Sequence, residues 1–154
     1  MAESSPFKYT KADDSAGFLL WKITALWQRK LATVLGEFGI TQTQYAILAS
    51  LKWFEEHDEE ITQTHLVDHT KIDKMTVSKA LRILEKNGLV AREQSVSDSR
   101  ATNVYFTTQG KKIIHKAIIA VEKADDEFFS CLPDKQLELY KSLTSNVIKE
   151  NGTI

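Results

Sequence analysis

Apolar positions recur at helical steps over most of this chain. From about Asp13 to Phe38, Leu20, Trp27, Leu31, Val34 and Phe38 follow at seven-, four-, three- and four-residue intervals, which lines them along one face of a long helix. The stripe runs the whole length of that helix, which predicts a partner helix beyond a small core. Gly39 ends it. The TQTQ run at 41–44 opens a second helix, with Thr41 as N-cap, Gln44 completing a capping box, and Tyr45, Leu48, Leu51 and Trp53 as its apolar side. EEHDEE, residues 55–60, reads as a solvated connection. A short third helix over about Thr62–Thr70 carries Leu66 and Val67. Asp73 caps a fourth helix whose Val77, Ala80, Leu81 and Leu84 must face inward, and Gly88 ends it.

After Gly88 the period changes. LVARE and TNVYFTT are β-prone segments on either side of QSVSDSRA, a polar stretch, so a hairpin with a long exposed tip is expected. Thr108 or its neighbour caps a fifth helix bearing Ile114, Ala117, Val121, Ala124 and Phe128. Pro133 starts a sixth with Leu137, Tyr140, Leu143 and Val147. The order is α-α-α-α-β-β-α-α, a mainly α chain with one small β-hairpin, and the terminal helices are patterned to associate. The third and fourth helices, joined by a turn at KID, have helix-turn-helix spacing.

Charge sharpens the picture. The chain carries 20 Lys+Arg against 21 Asp+Glu, yet residues 71–112 hold nine basic and four acidic residues, a local +5 that leaves −6 elsewhere. With the apolar quartet of the fourth helix turned inward, Lys74, Thr76, Ser78, Lys79, Arg82 and Lys86 lie on its outer sides. Short hydroxyls flanked by cations suit a major-groove reader: the hydroxyls approach base edges while Lys and Arg neutralise phosphates. The hairpin tip adds Arg100, of a kind that enters a narrow minor groove, and Asp98, placed to orient its guanidinium. A helix and a wing side by side explain why the positive charge is concentrated.

The string VSKALRILEKNGLVAREQSVSDSRATNVYFTTQG resembles the signature of MarR-type winged helix-turn-helix regulators. Val77, Ser78, Leu84, Glu85, Gly88, Leu89, Val90, Arg92, Asp98, Arg100, Val104, Phe106, Thr107 and Gly110 fall on its positions. The resemblance covers about residues 13–150. It implies a homodimeric transcriptional regulator, a repressor by expectation, with a winged helix-turn-helix lobe over 40–108 and a dimerisation region of 13–38 and 109–150. Two lobes would then bind a pseudo-palindromic double-stranded operator, with Arg100 in the minor groove. Ser99 departs from the pattern, which commonly has a second basic residue there. Regulators of this kind often respond to small phenolic ligands, which implies a small aromatic effector.

Other signals weigh less. Trp21, Trp27, Trp53 and Tyr45 suit an effector pocket, although aromatic stripes at helical spacing are usually core. His65 and His69 are four apart, a spacing zinc accepts, with His57 and His115 elsewhere; the spacing is permissive, and the preferred reading is that His69 and Asp68 cap or solvate a helix end. A zinc-responsive regulator and a winged-helix module for protein partners are the competing readings, the second disfavoured by the basic segment. The lone Cys131, among aromatic and aliphatic neighbours, is expected to be a partly buried, inert thiol, and no cofactor is expected. No catalytic motif is present, so an enzyme is not expected. No stretch has membrane-spanning length, and MAESSPFKYTKADD lacks a secretory core, which predicts a cytoplasmic protein with no membrane partner.

Overall fold

The computed structural model describes residues 3–57 and 60–152. A 3₁₀ turn at Ala12–Asp14 precedes α1 (Ala16–Gly36), α2 (Gln42–His57), α3 (Gln63–Thr70) and α4 (Lys74–Lys86). The antiparallel strands β1 (Val90–Gln94) and β2 (Thr102–Phe106) follow, then α5 (Thr108–Phe128) and α6 (Asp134–Asn151). This is the element order that the hydrophobic pattern predicts.

Caps and turn residues fix the boundaries. Gln44 N–H donates to Thr41 Oγ1 at 3.1 Å and Thr41 N–H to Gln44 Oε1 at 3.1 Å, the reciprocal pair expected at the start of α2. α4 stops because Gly88 takes φ +76°, open to glycine without strain, and lets Leu89 N–H reach Leu84 O at 2.9 Å. Thr107 caps α5.

The core closes around the inward face of α4. Val77, Leu81 and Leu84 are fully buried against Ile47, Leu48 and Leu51 of α2, Leu66 of α3 and Ile114 of α5. Each of those large side chains contributes roughly 1.5–3 kcal/mol by leaving water. In α1 the buried seam is Leu31 and Leu35, with Trp27, Val34 and Phe38 half-buried beside it. Leu20 does not join that seam: with Leu19, Trp21 and Leu26 it lies at the surface of the single chain. α6 buries none of its residues and exposes Leu139, Leu143, Val147 and Ile148.

Four expectations need correction. Cys131 is exposed, because it lies in the turn between α5 and α6 instead of on an inward helix face. α2 runs on through Glu55, Glu56 and His57, so the first half of the acidic stretch is helix; Asp58 and Glu59 lie outside the described residues. Trp53 is exposed, because a residue two positions past Leu51 falls off the three- and four-step stripe, and it stacks on His57 at 4.4 Å. Trp21, 75% exposed, is not core in the single chain either. No helix among the described residues is long and apolar enough to cross a membrane.

Candidate nucleic-acid interface

With its apolar quartet inside, α4 turns Met75, Lys79, Arg82 and Lys86 outward at four-, three- and four-residue steps, all of them exposed. Lys74 and Thr76 are exposed on the flanks, while Ser78 is half-buried, so its hydroxyl sits lower on this surface than the sequence pattern suggests. Met75, at 83% exposure, escaped the sequence reading because an apolar side chain carries no charge signal. It offers a contact of the kind a thymine methyl accepts.

Asp73 sets the chemistry of the α4 amino end. Its Oδ1 accepts from Thr76 N–H at 2.9 Å and its Oδ2 from Thr76 Oγ1 at 2.6 Å. Those bonds, the hydroxyl's first, hold the Asp73 carboxyl below its ordinary pKa. The Thr76 proton is therefore committed, and outward the hydroxyl can only accept a hydrogen bond. That favours amino groups of bases over carbonyls or ring nitrogens.

The hairpin is placed against this helix by polar ties. Register pairs Val90 with Phe106, Arg92 with Val104 and Gln94 with Thr102. Arg92, half-buried in β1, reaches Glu85 of α4 at 3.3 Å, and its backbone N–H donates to the same carboxylate at 3.2 Å. Val104 N–H donates to Ile61 O at 2.9 Å, so the entry to α3 runs as a bridge beside β2. Glu60 completes the joint: its Oε1 accepts from Asn103 Nδ2 at 2.6 Å and from Ser95 Oγ at 3.1 Å. The Asn103 bond first, then that of Ser95, hold the Glu60 carboxyl below its ordinary pKa. Glu60 is thus a tether of the hairpin, not simply part of a solvated connection.

At the tip, Arg100 projects with 92% of its side chain exposed, 3.5 Å from Asp98, whose Oδ1 also accepts the Arg100 backbone N–H at 3.0 Å. Val96 is fully exposed beside them.

The histidines have other work. His65 Nδ1 accepts from Thr62 N–H at 3.2 Å and completes the capping box of α3, while His69 Nδ1 lies 2.8 Å from Ser50 Oγ of α2. The helix-end role expected of His69 is corrected: His65 does the capping, at the amino end of α3, while His69 is drawn to the Ser50 hydroxyl and links two helices.

The four aromatic residues proposed for one pocket are separated. Tyr45 and Trp53 share a cavity of about 350 Å³ between α2 and α5 with Ala49, His115, Ile118, Ile119 and Glu122. Trp27 packs on Phe128 at 5.4 Å, and Trp21 borders a different depression on α1. Burial, then the charges of Glu122 and Asp125, push the Tyr45 phenol up to about 12.

A family model described as transcriptional regulator SarA/Rot matches residues 29–117. The chain is 36% identical over 129 residues to an uncharacterized HTH-type transcriptional regulator of Bacillus subtilis, YdcH, covering 84% of this chain and 88% of that one. Among solved structures, a mutant MarR from Escherichia coli complexed with operator DNA superposes with a TM-score of 0.77 at 23% identity, covering 86% of this chain and 92% of that chain. CouR from Rhodococcus jostii RHA1, bound to p-coumaroyl-CoA, gives 0.78 at 22% identity over 90% and 95%.

Proposed function

The chain belongs to the SarA/Rot family of transcriptional regulators, built on the MarR winged helix-turn-helix fold, and from that premise we propose that it is a homodimeric repressor of a pseudo-palindromic operator. α4 enters the major groove with Lys79 and Arg82 foremost, Lys74 and Lys86 at the phosphates, and Thr76, Ser78 and Met75 toward base edges. Arg100, oriented by Asp98, enters the adjacent minor groove. The observation that carries this reading is the exposed ridge of α4 together with an almost fully exposed Arg100, on a hairpin tied to the same helix through Arg92 and Glu85.

The lobe is residues 40–108; residues 13–38 and 109–150 form the dimerisation region. The apolar faces that α1 and α6 leave open support that division, since two copies related by a twofold axis would cover them and set two recognition helices about one turn of DNA apart. A small aromatic effector seated beside Tyr45 and Trp53 would adjust operator occupancy, because that cavity lies between the lobe and α5.

Gel-shift titration tests the reading on an operator recovered by selection from genomic DNA. Arg100→Ala should lower affinity roughly tenfold or more per dimer with the circular dichroism spectrum unchanged. Equal affinity of variant and parent would remove the wing from recognition.

A further inference from the structure

Lys71 caps two helices at once. Its backbone takes φ +61°, the left-handed conformation that closes a helix, and its N–H donates to Val67 O at 3.0 Å, ending α3 ahead of the turn into α4. Its side chain caps a second helix. The Lys71 ammonium donates to Gly152 O at 3.3 Å, at the carboxyl end of α6, where unpaired carbonyls and the helix dipole both favour a cation. One residue therefore joins the helix-turn-helix to a point 81 positions farther along the chain.

The surroundings make this contact a strut. α6 buries none of its residues, and its 18 residues span about 27 Å from the turn where Tyr140 meets Phe129 at 5.0 Å. At its other end Val67, Ile72 and Ile148 line a depression of about 490 Å³ that stays open between the α3–α4 turn and the helix, so the two are not welded by packing. Among the described residues the Lys71 bond is the hydrogen bond that spans this gap. Its place matters for recognition. Lys71 stands two residues before Asp73, the N-cap of α4, which borders the same depression.

We propose that Lys71 is a positioning residue for operator binding. By pinning the amino end of the recognition helix to α6 in each subunit, it fixes the separation of the two recognition helices and so the half-site spacing that the dimer accepts. The inference rests on the dimeric reading above and adds what determines the spacing. One base pair more or less between half-sites shifts one of them by about 3.4 Å and turns it by about 34°. A pinned lobe resists that displacement; a lobe free at this end follows it.

The variant that isolates the side chain is Lys71→Gly. Glycine takes φ +61° without strain, so α3 keeps its cap and the fold should be at least as stable as the parent, while the ammonium is gone. Gel-shift titration of the full chain uses the selected operator and versions of it with one or two base pairs inserted or deleted at the centre. The parent should prefer one spacing over its neighbours by roughly tenfold. In Lys71→Gly that preference should shrink roughly fivefold, since the contact is lost in both subunits, with base preference inside each half-site unchanged. Lys71→Arg keeps a cation and should keep the parent's profile.

A glycine variant with the parent's spacing profile overturns the proposal, as does an arginine variant as permissive as the glycine one. If Lys71→Gly loses affinity equally at every spacing and depends less steeply on salt, the ammonium serves a DNA phosphate, and the proposal falls while the operator reading stands. A parent that binds the operator at no spacing, or at all spacings alike, removes the dimeric reading and the proposal together.

Discussion

Gly110 is where α5 meets the lobe, and replacing it with alanine tests how tightly that junction is built. A Cβ on Gly110 would overlap the Leu89 carbonyl oxygen and stand 2.9 Å from its carbonyl carbon and 3.2 Å from its Cα. The obstacle is backbone, so no side chain can swing aside; α5 must lift from the start of β1. That strains a small network. Thr107 N–H donates to Leu89 O at 3.1 Å, Thr107 Oγ1 to Gly88 O at 2.6 Å, and Gly110 N–H to Thr107 Oγ1 at 3.0 Å. Overpacking costs about 1–3 kcal/mol, and losing two of these bonds about 1 kcal/mol each. Better helix propensity returns about 1 kcal/mol. The net is a destabilisation of about 2–4 kcal/mol, or a urea midpoint lowered by roughly 1–2 M at fixed chain concentration. Gly36→Ala is the control: that glycine ends α1 with nothing within 4 Å of an added Cβ, so the substitution should be neutral or stabilising. If Gly110→Ala unfolds at the same midpoint as Gly36→Ala, the close approach of α5 to Leu89 is not a constraint on the fold.

Other outcomes follow from the polar ties. Glu60→Ala should leave global unfolding cooperative but speed hydrogen exchange in 95–104 and weaken operator binding severalfold; unchanged exchange there would show that Glu60 does not tether the wing. Glu60 and Asp73 both titrate below their ordinary values. Their stabilisation is therefore complete above the unfolded carboxylate range, near pH 4, and disappears as pH falls through the lower folded values. In Asp73→Asn/Glu60→Gln the acid side of the stability curve should flatten, and a curve of unaltered slope would contradict the assignment. The Tyr45 phenol, at about 12, should be silent in an ultraviolet titration until well past pH 10, and its contribution to stability is present below 10 and lost as pH rises through 12. A Tyr45→Phe difference spectrum with a transition near 10 would refute its burial.

Helix faces and caps were legible in the sequence wherever their cause is local. The inward quartet of α4, the Thr41–Gln44 box and the Asp73 cap each depend on residues within a turn or two, and the structure has all of them. Tertiary partners were not legible. Glu60 finds Ser95 and Asn103 across 35 and 43 residues, so nothing near it in sequence distinguishes it from the acidic residues around it. His65 caps α3 from a position where Glu or Gln is the usual signal. Trp21 and Trp53 were weighed by residue type, and type predicts burial only when the helix face is already known. At the interface, charge found the lysines and arginines, but the Met75 side chain and the proton committed within the Thr76 hydroxyl needed coordinates.

The three-way stitching at Ile61–Val104, Glu60–Asn103 and Arg92–Glu85 has a mechanical consequence. Hairpin, helix pair and entry segment are fastened around one stretch of the sheet, where Arg92 lies opposite Val104, and cannot hinge there without breaking several bonds together. On the proposed mode of binding, a signal arriving along α5 would displace α4 and the wing as one body instead of bending the wing alone.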